Sequence, residues 1–252
     1  DVNDNISDTG STGTDVLNIT NSGTIDSANL IDAKGIETLN LSSGDDTIIF
    51  DDTTKFNEFR DNFTDIVDAG GSDTLSFGST AVTGYLDFSK LGEFENLNLS
   101  SVSDNLTISG DEPDNINGLG GDDQFTLNFS NVSNFNINGG DGEDKVNIIG
   151  TSSSISTDTN IFGAGAFDNI EALDLTATNL VVGADTSDGG TYAEYTLTGA
   201  LINSWTSSSS LKLTLDADAA SRFEFTGTKQ GESTALKYGG DDSGTTAITN
   251  GT

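Results

Sequence analysis

A short pattern, Gly-x-Asp-x-(large apolar), constrains this chain more than any other feature. It occurs at Gly13/Asp15/Leu17, Gly44/Asp46/Ile48, Gly71/Asp73/Leu75, Gly121/Asp123/Phe125 and Gly142/Asp144/Val146. Chance would supply about one match, against the five found. A degenerate copy, Val102/Asp104/Leu106, fills the largest gap, and the aspartates then step by 31, 27, 31, 19 and 21 residues. Such steps have the length of single turns of a β-solenoid, each coil stacked on the last. A second repeat runs alongside: Ile36-Glu37-Thr38-Leu39-Asn40-Leu41, Phe94-Glu95-Asn96-Leu97-Asn98-Leu99 and Ile170-Glu171-Ala172-Leu173-Asp174-Leu175. In its first two copies a Ser-Ser pair leads straight into the aspartate repeat.

Alternating apolar and polar residues predict short strands at Val16–Ile19, Thr38–Leu41, Thr47–Phe50, Thr74–Phe77, Asn96–Leu99 and Asn105–Ile108. Further runs follow at Gln124–Phe129, Phe135–Ile137, Lys145–Ile149, Ala172–Leu175, Asn179–Val182, Tyr192–Leu197, Leu211–Leu215 and Arg222–Phe225. Together with the repeats they predict an all-β chain, a parallel β-solenoid (β-roll or β-helix) rather than a sandwich or barrel. One stretch breaks the alternation. Phe56, Phe59, Phe63 and Ile66 recur at helical spacing, predicting a short inserted helix over about 55–66, capped by Thr54, on the flank or end of the solenoid. The repeats fade after Val182, which divides the chain into a solenoid over 1–182 and a β-rich cap or second small β-domain over 183–252. Without a leader or closing signal, the chain reads as a piece of something longer.

The chemistry available is narrow. Nine Lys and Arg face 41 Asp and Glu, a net charge of −32, and His, Cys and Met are absent. Disulfides, Cys- or His-ligated metals, and catalysis by imidazole or thiolate are therefore excluded. Nucleic acid and anionic lipid are poor partners for so acidic a chain, and no apolar run is long enough to span a membrane. The acids recur beside glycines at strand ends, and repulsion on this scale asks for a hard, oxygen-seeking divalent cation.

The sharpest motif is Gly139-Gly140-Asp141-Gly142-Glu143-Asp144-Lys145-Val146-Asn147, which matches G-G-x-G-x-D-x-U-x at every specified position. Gly118–Thr126 matches except at its second position, and Ser109–Asn117 before it keeps Asp114 and Ile116. Gly10–Asn18 and Asp68–Ser76 are looser copies. Glycines let the backbone turn carbonyls towards one point, and a short aspartate brings a carboxylate to it. Carbonyls with one or two carboxylates suit Ca²⁺ better than Mg²⁺, which holds its water and demands a stricter octahedron. One loop is too poor a cage, so the spacing places loops 118–123 and 139–144 in adjacent layers that share an ion. Plain turn-forming roles are the alternative for Asp15, Asp46 and Asp73. Glu37, Glu95 and Glu171 read as solvated strand-edge charges.

These residues resemble the calcium-binding repeats-in-toxin proteins with hemolysin-type nonapeptides, and in particular their Gram-negative S-layer proteins and large adhesins. The resemblance implies calcium between coils and type I secretion to the bacterial cell surface. It implies carboxylates from Asp144 and Asp123, and carbonyls from Gly139, Asp141, Glu143, Gly118, Gly120 and Asp122. Asp114, Asp73, Asp46 and Asp15 are further candidate ligands. Most copies here are isolated rather than tandem, and several lack the first glycine pair.

The expected role is non-enzymatic: a calcium-folded structural segment of an extracellular surface protein, an S-layer lattice subunit or an adhesin. Its partners would be calcium and either further copies in a lattice or a cell-surface glycan. The alternative is a β-helical polysaccharide lyase or glycosidase, which the scattering of the nine basic residues disfavours. A glycan- or ice-binding domain lacks a regular Thr-x-Thr ladder. Lys212, Arg222, Lys229 and Lys237, clustered late in the chain, read as neutralising surface charges.

Overall fold

Each turn of the chain lays short strands against the strands of the previous turn, and the result is an all-β parallel solenoid. The computed structural model describes residues 13–110, 113–128, 136–151 and 167–174, and beyond them the strand segments 178–179, 193–198, 210–214, 221–228, 235–237 and 246–249. The first coil holds β1 (Val16–Asn18), β2 (Thr24–Asp26) and helix α1 (Ser27–Ile31). The second holds β3 (Thr38–Asn40), β4 (Thr47–Phe50) and α2 (Thr53–Asn62), the third β5 (Asp65–Val67), β6 (Thr74–Phe77) and β7 (Thr83–Asp87). Later coils carry the pairs β8 (Asn96–Asn98) and β9 (Asn105–Ser109), β10 (Asn115–Asn117) and β11 (Gln124–Asn128), β12 (Asn136–Asn138) and β13 (Lys145–Thr151), and β14 (Phe167–Asp168) and β15 (Ala172–Asp174).

Like strands pair in parallel. β1, β3 and β5 form a first sheet, the even-numbered strands β2 to β14 a second, and the odd-numbered strands β7 to β15 a third. Register keeps apolar side chains in columns, with Ile48, Leu75, Leu97, Ile116 and Ile137 stacked in the second sheet. Leu106, Phe125, Val146 and Leu173 do the same in the third. All nine are buried, which gives the stack a continuous dry centre. Period-2 alternation produces this result because successive side chains point to opposite faces.

The coil step differs from the expected one. Corresponding corner residues of successive coils lie 19 to 27 residues apart. The 31-residue steps from Asp15 to Asp46 and from Asp73 to Asp104 are therefore not single turns. Each is one turn plus a move to the next sheet, since Asp15 precedes β1, Asp46 and Asp73 precede β4 and β6, and Asp104 precedes β9.

The helix also departs from expectation. It starts at Thr53, and its cap is Asp52, whose carboxylate accepts the Lys55 N–H at 2.9 Å. A charged oxygen at the positive helix end outcompetes the Thr54 hydroxyl. Ile66 belongs to β5, opposite Leu39, and not to the helix. α2 does lie on the flank of the stack, with Phe56 and Phe59 buried and Glu58 and Asp61 exposed. It lies between α1 and β7, and the Thr53 hydroxyl donates to the Thr83 carbonyl at 3.0 Å. The helices thus take, in the first two coils, the place that third-sheet strands take from the third coil on. Phe56 and Phe59 meet Phe50 edge-on at 5.5 and 5.4 Å, inside the core.

Further along, β16 (Thr178–Asn179) pairs with β13, while β17 (Ala193–Thr198), β19 (Ser221–Thr228) and β20 (Ala235–Lys237) make a separate three-stranded sheet. β18 (Ser210–Thr214) extends the third sheet in parallel from β15, and β21 (Thr246–Thr249) pairs antiparallel with β18. The third sheet's pairing therefore crosses the boundary expected at 182. The expected strand Asn179–Val182 lies outside the described residues except for its first residue. No described helix is long and apolar enough to cross a membrane.

Candidate metal centre

Each coil turns a corner before its strand, and the repeat aspartate stands two residues ahead of the inward-facing apolar side chain. The backbone N–H at that position is met by a carboxylate from the next coil. In the first sheet the Asp15 N–H donates to Glu37 Oε2 at 2.8 Å. In the second, Gly23 donates to Asp46 Oδ1 (3.1 Å), Asp46 to Asp73 Oδ1 (2.8 Å) and Asp73 to Glu95 Oε2 (2.6 Å). In the third, Val82 donates to Asp104, Asp104 to Asp123 (2.8 Å), Asp123 to Asp144 (2.8 Å) and Asp144 to Glu171 (2.9 Å). Each of these three ladders ends on a glutamate of the second sequence repeat. The two repeats are thus one structural position, and Glu37, Glu95 and Glu171 are inter-coil acceptors rather than the solvated edge charges expected.

The residue just before Asp73, Asp123 and Asp144 makes the reverse bond. Ser72 donates its N–H back to Asp45 Oδ1 (3.0 Å), Asp122 to Ser103 Oγ (2.9 Å) and Glu143 to Asp122 Oδ1 (3.0 Å). Neighbouring residues therefore tie each coil both forward and back. Bonds to a charged acceptor contribute about 1.5–3 kcal/mol each.

The corners fall into two kinds, divided by what the second carboxylate oxygen meets. Asp46 Oδ2 accepts the Ser42 N–H at 2.8 Å, and Asp104 Oδ2 accepts the Ser100 N–H at 2.9 Å. The Ser100 hydroxyl adds a bond to Asp104 Oδ1 at 2.8 Å. These are the Ser-Ser loops. In the glycine loops the outcome differs: Oδ2 of Asp73, Asp123 and Asp144 is buried with no hydrogen-bond partner. Four residues upstream, where the other corners have Ser42 and Ser100, stand Ala69, Leu119 and Gly140.

The glycines shape the space around the orphaned oxygens. A Cβ on Gly118 would fall within 3.0 Å of both Asp123 Oδ2 and the Gly139 carbonyl oxygen. A Cβ on Gly139 would meet Asp144 Oδ2 and the Asn169 carbonyl in the same way. In each corner, then, a carboxylate oxygen and a carbonyl oxygen of the following coil crowd one small space, an arrangement that needs a proton, a cation or a water donating to both. At the third glycine corner, Asp73 faces the Asp68 carboxylate.

Electrostatics agree with the geometry. Burial pushes the Asp123 carboxyl up to about 7, against the pull of the Asp104 N–H, and the charges of Asp104, Asp144 and Asp122 add to the rise. Asp73 rises to about 7 through burial and then Asp68, opposed by the Asp46 N–H. Asp144 rises to about 6, mainly by burial. Asp104 is raised by burial too, opposed by the Val82 N–H and by Ser100.

An oxygen-only donor set bearing negative charge fits a hard cation such as Ca²⁺. Among the described residues no three acidic side chains converge on one point. Each corner offers one carboxylate with a carbonyl, or two carboxylates at Asp68 and Asp73, so water must complete a shell of 6–8 oxygens.

The structure brings the two sharpest nonapeptides together: Gly120 and Asp141 form a bridge between loops 118–123 and 139–144, and Gly121 donates to the Asp141 carbonyl at 2.8 Å. Asp122, Asp141 and Glu143 keep their side chains exposed at the rim. Asp46 is not among the orphans, because backbone N–H groups hold both of its oxygens. Asp15 sits apart in the first sheet, and Asp114 is exposed at the second-sheet corner. Asp68 was missed, although it is the first residue of the loose nonapeptide Asp68–Ser76. No protein-family model matches the chain, and no curated protein or solved structure is significantly similar to it.

Proposed function

We propose that the chain is a calcium-dependent structural segment of a secreted bacterial surface protein, an S-layer lattice subunit or an adhesin, without enzymatic activity. One observation carries the calcium part: buried carboxylate oxygens lacking any partner occur in the glycine corners and not in the two Ser-Ser corners. Ca²⁺ held there joins Asp123 and Asp144 to carbonyls of the following coil, and Asp73 to Asp68. Each ion bridges adjacent turns and so binds the folded chain only, stabilising it by about 2.7 kcal/mol per site at a hundredfold excess over Kd. The surface location is supported by the nonapeptide resemblance and by a charge that keeps the chain extended where free calcium is scarce. Residues 183–252 serve in this reading as a β-rich cap on the stack.

Circular dichroism of chelated protein tests the proposal. Millimolar Ca²⁺ should restore the β-sheet signal and raise Tm, with Mg²⁺ far less effective. An unchanged spectrum and an unchanged Tm would defeat it.

A further inference from the structure

The outward face of the second sheet carries a stacked array of amides. Its last three full strands read Asn-Leu-Asn, Asn-Ile-Asn and Asn-Ile-Asn, so six asparagines stand outward in two columns: 96, 115 and 136, and 98, 117 and 138. Register places each directly over its counterpart, and adjacent strands lie about 4.7–4.9 Å apart. The amides bond along the columns: Asn115 Nδ2 donates to Asn96 Oδ1 at 3.1 Å, Asn136 to Asn115 at 3.3 Å and Asn117 to Asn98 at 2.9 Å. Asn96 spends its N–H groups on Ser72 Oγ (2.9 Å) and the Asp73 carbonyl (3.3 Å), whereas in Asn115, Asn117 and Asn136 one donor hydrogen serves the column bond and a second N–H is left for another molecule. A groove of about 510 Å³ lies at the β10–β14 end of this array, where the four asparagines of β10 and β12 line it together with Ile137, Phe167 and Asp168.

Charge narrows the occupant. The chain carries −32, yet no outward residue of the second sheet from β4 to β12 is charged. We propose that this amide face binds a neutral, extended polysaccharide chain lying along the stack axis. Each sugar hydroxyl both donates and accepts, matching the free N–H groups of Asn115, Asn117 and Asn136, and a chain on this axis meets a fresh pair of amides at every coil. Anionic glycans and nucleic acids are repelled by the surrounding carboxylates. A peptide strand would dock on a sheet edge through its backbone rather than on a face. The proposal stands apart from the metal reading.

The test is calorimetric titration of the full chain with cellohexaose, laminarihexaose and maltohexaose, with hexagalacturonate as the anionic control. It is run with calcium and with chelator, on whichever sample shows a β-sheet spectrum, so a failed calcium response leaves it intact. At least one neutral hexaose should bind. The double variant N117T/N136T should weaken that binding at least tenfold, while N18T, in the equivalent amide pair of the first sheet, should leave it unchanged. Equal binding of hexagalacturonate, no neutral binding, or binding indifferent to N117T/N136T would overturn the proposal. So would sedimentation showing that the face joins two copies of the chain. Should the double variant fail to fold, asparagine side-chain amide resonances of the unaltered protein decide: shifts confined to the second sheet support the site, and shifts elsewhere reject it.

Discussion

The Ser-Ser corners at Asp46 and Asp104 and the glycine corners at Asp73, Asp123 and Asp144 share a fold position, a forward inter-coil bond and nearly complete burial of the aspartate. They differ in one oxygen. Where the loop runs Ser-Ser-x-x-Asp, its own backbone closes on the carboxylate and the corner is complete without help. In the glycine loops the same carboxylate oxygen faces another acceptor and needs a donor or a cation between them. One scaffold thus uses aspartate in two ways, as a finished structural bond and as half of an ion site.

The sharpest way to break this comparison is to remove the orphans together. D73N/D123N/D144N should abolish the calcium-induced rise in Tm, whereas D46N should keep it; an equal loss in both would erase the distinction. Next in size is pH. The three glycine-corner carboxyls titrate in the folded state at about 7, 7 and 6, above the unfolded value of about 3.9. A raised folded pKa favours the protonated fold, so their contribution is full at low pH and is lost as pH climbs from about 4 through 7. Metal-free protein should therefore unfold more readily at pH 8 than at pH 5.5, and calcium should flatten that profile. Denaturant melts at the two pH values decide.

Smaller effects sharpen the contrast. G139A forces a Cβ into Asp144 and the Asn169 carbonyl and should cost about 2–3 kcal/mol along with the calcium response of that corner. G44A meets only the Ser22 side chain, Oγ at 3.0 Å and Cβ at 3.1 Å, which a shift of a few tenths of an ångström relieves, so it should cost less than G139A, under about 1 kcal/mol. In metal-free protein, D104N sets an amide N–H against N–H donors and should destabilise by about 1–3 kcal/mol. D123N instead places a donor beside the Gly139 carbonyl and should stabilise by about 1 kcal/mol. Equal signs for the two substitutions in urea melts would show the corners to be alike. Last, Leu119 holds φ 71 where the matching Gly140 holds φ 100, so L119G should be neutral or stabilising by up to about 1 kcal/mol.

Much of this was legible in the chain. Thr47–Phe50 and Thr74–Phe77 form strands with the expected bounds, because alternation with β-branched and aromatic residues leaves few other options. Other strands were missed: Thr24–Asp26 and Asn115–Asn117 are too short to show a period, and Asp65–Val67 was hidden in a helical spacing that continued past Phe63. The nonapeptides named Asp123 and Asp144 as residues of one layered arrangement. They gave no sign that Asp46 would be satisfied by Ser42, nor that Glu95 would finish a ladder begun three coils earlier. The ladder bonds join residues 19 to 27 positions apart, and their partner is chosen by the stacking.

Local pattern alone determined that the chain makes short strands, turns sharply at Gly and Asp, and repeats. Periodicity and turn chemistry act within a few residues and need no knowledge of the rest. Only the tertiary structure decided which corner sits over which, how two unlike repeats become rungs of a common ladder, and which carboxylate oxygens are left without a donor. Those outcomes depend on register between coils, a property of the assembled stack in which each backbone N–H is answered from the neighbouring turn.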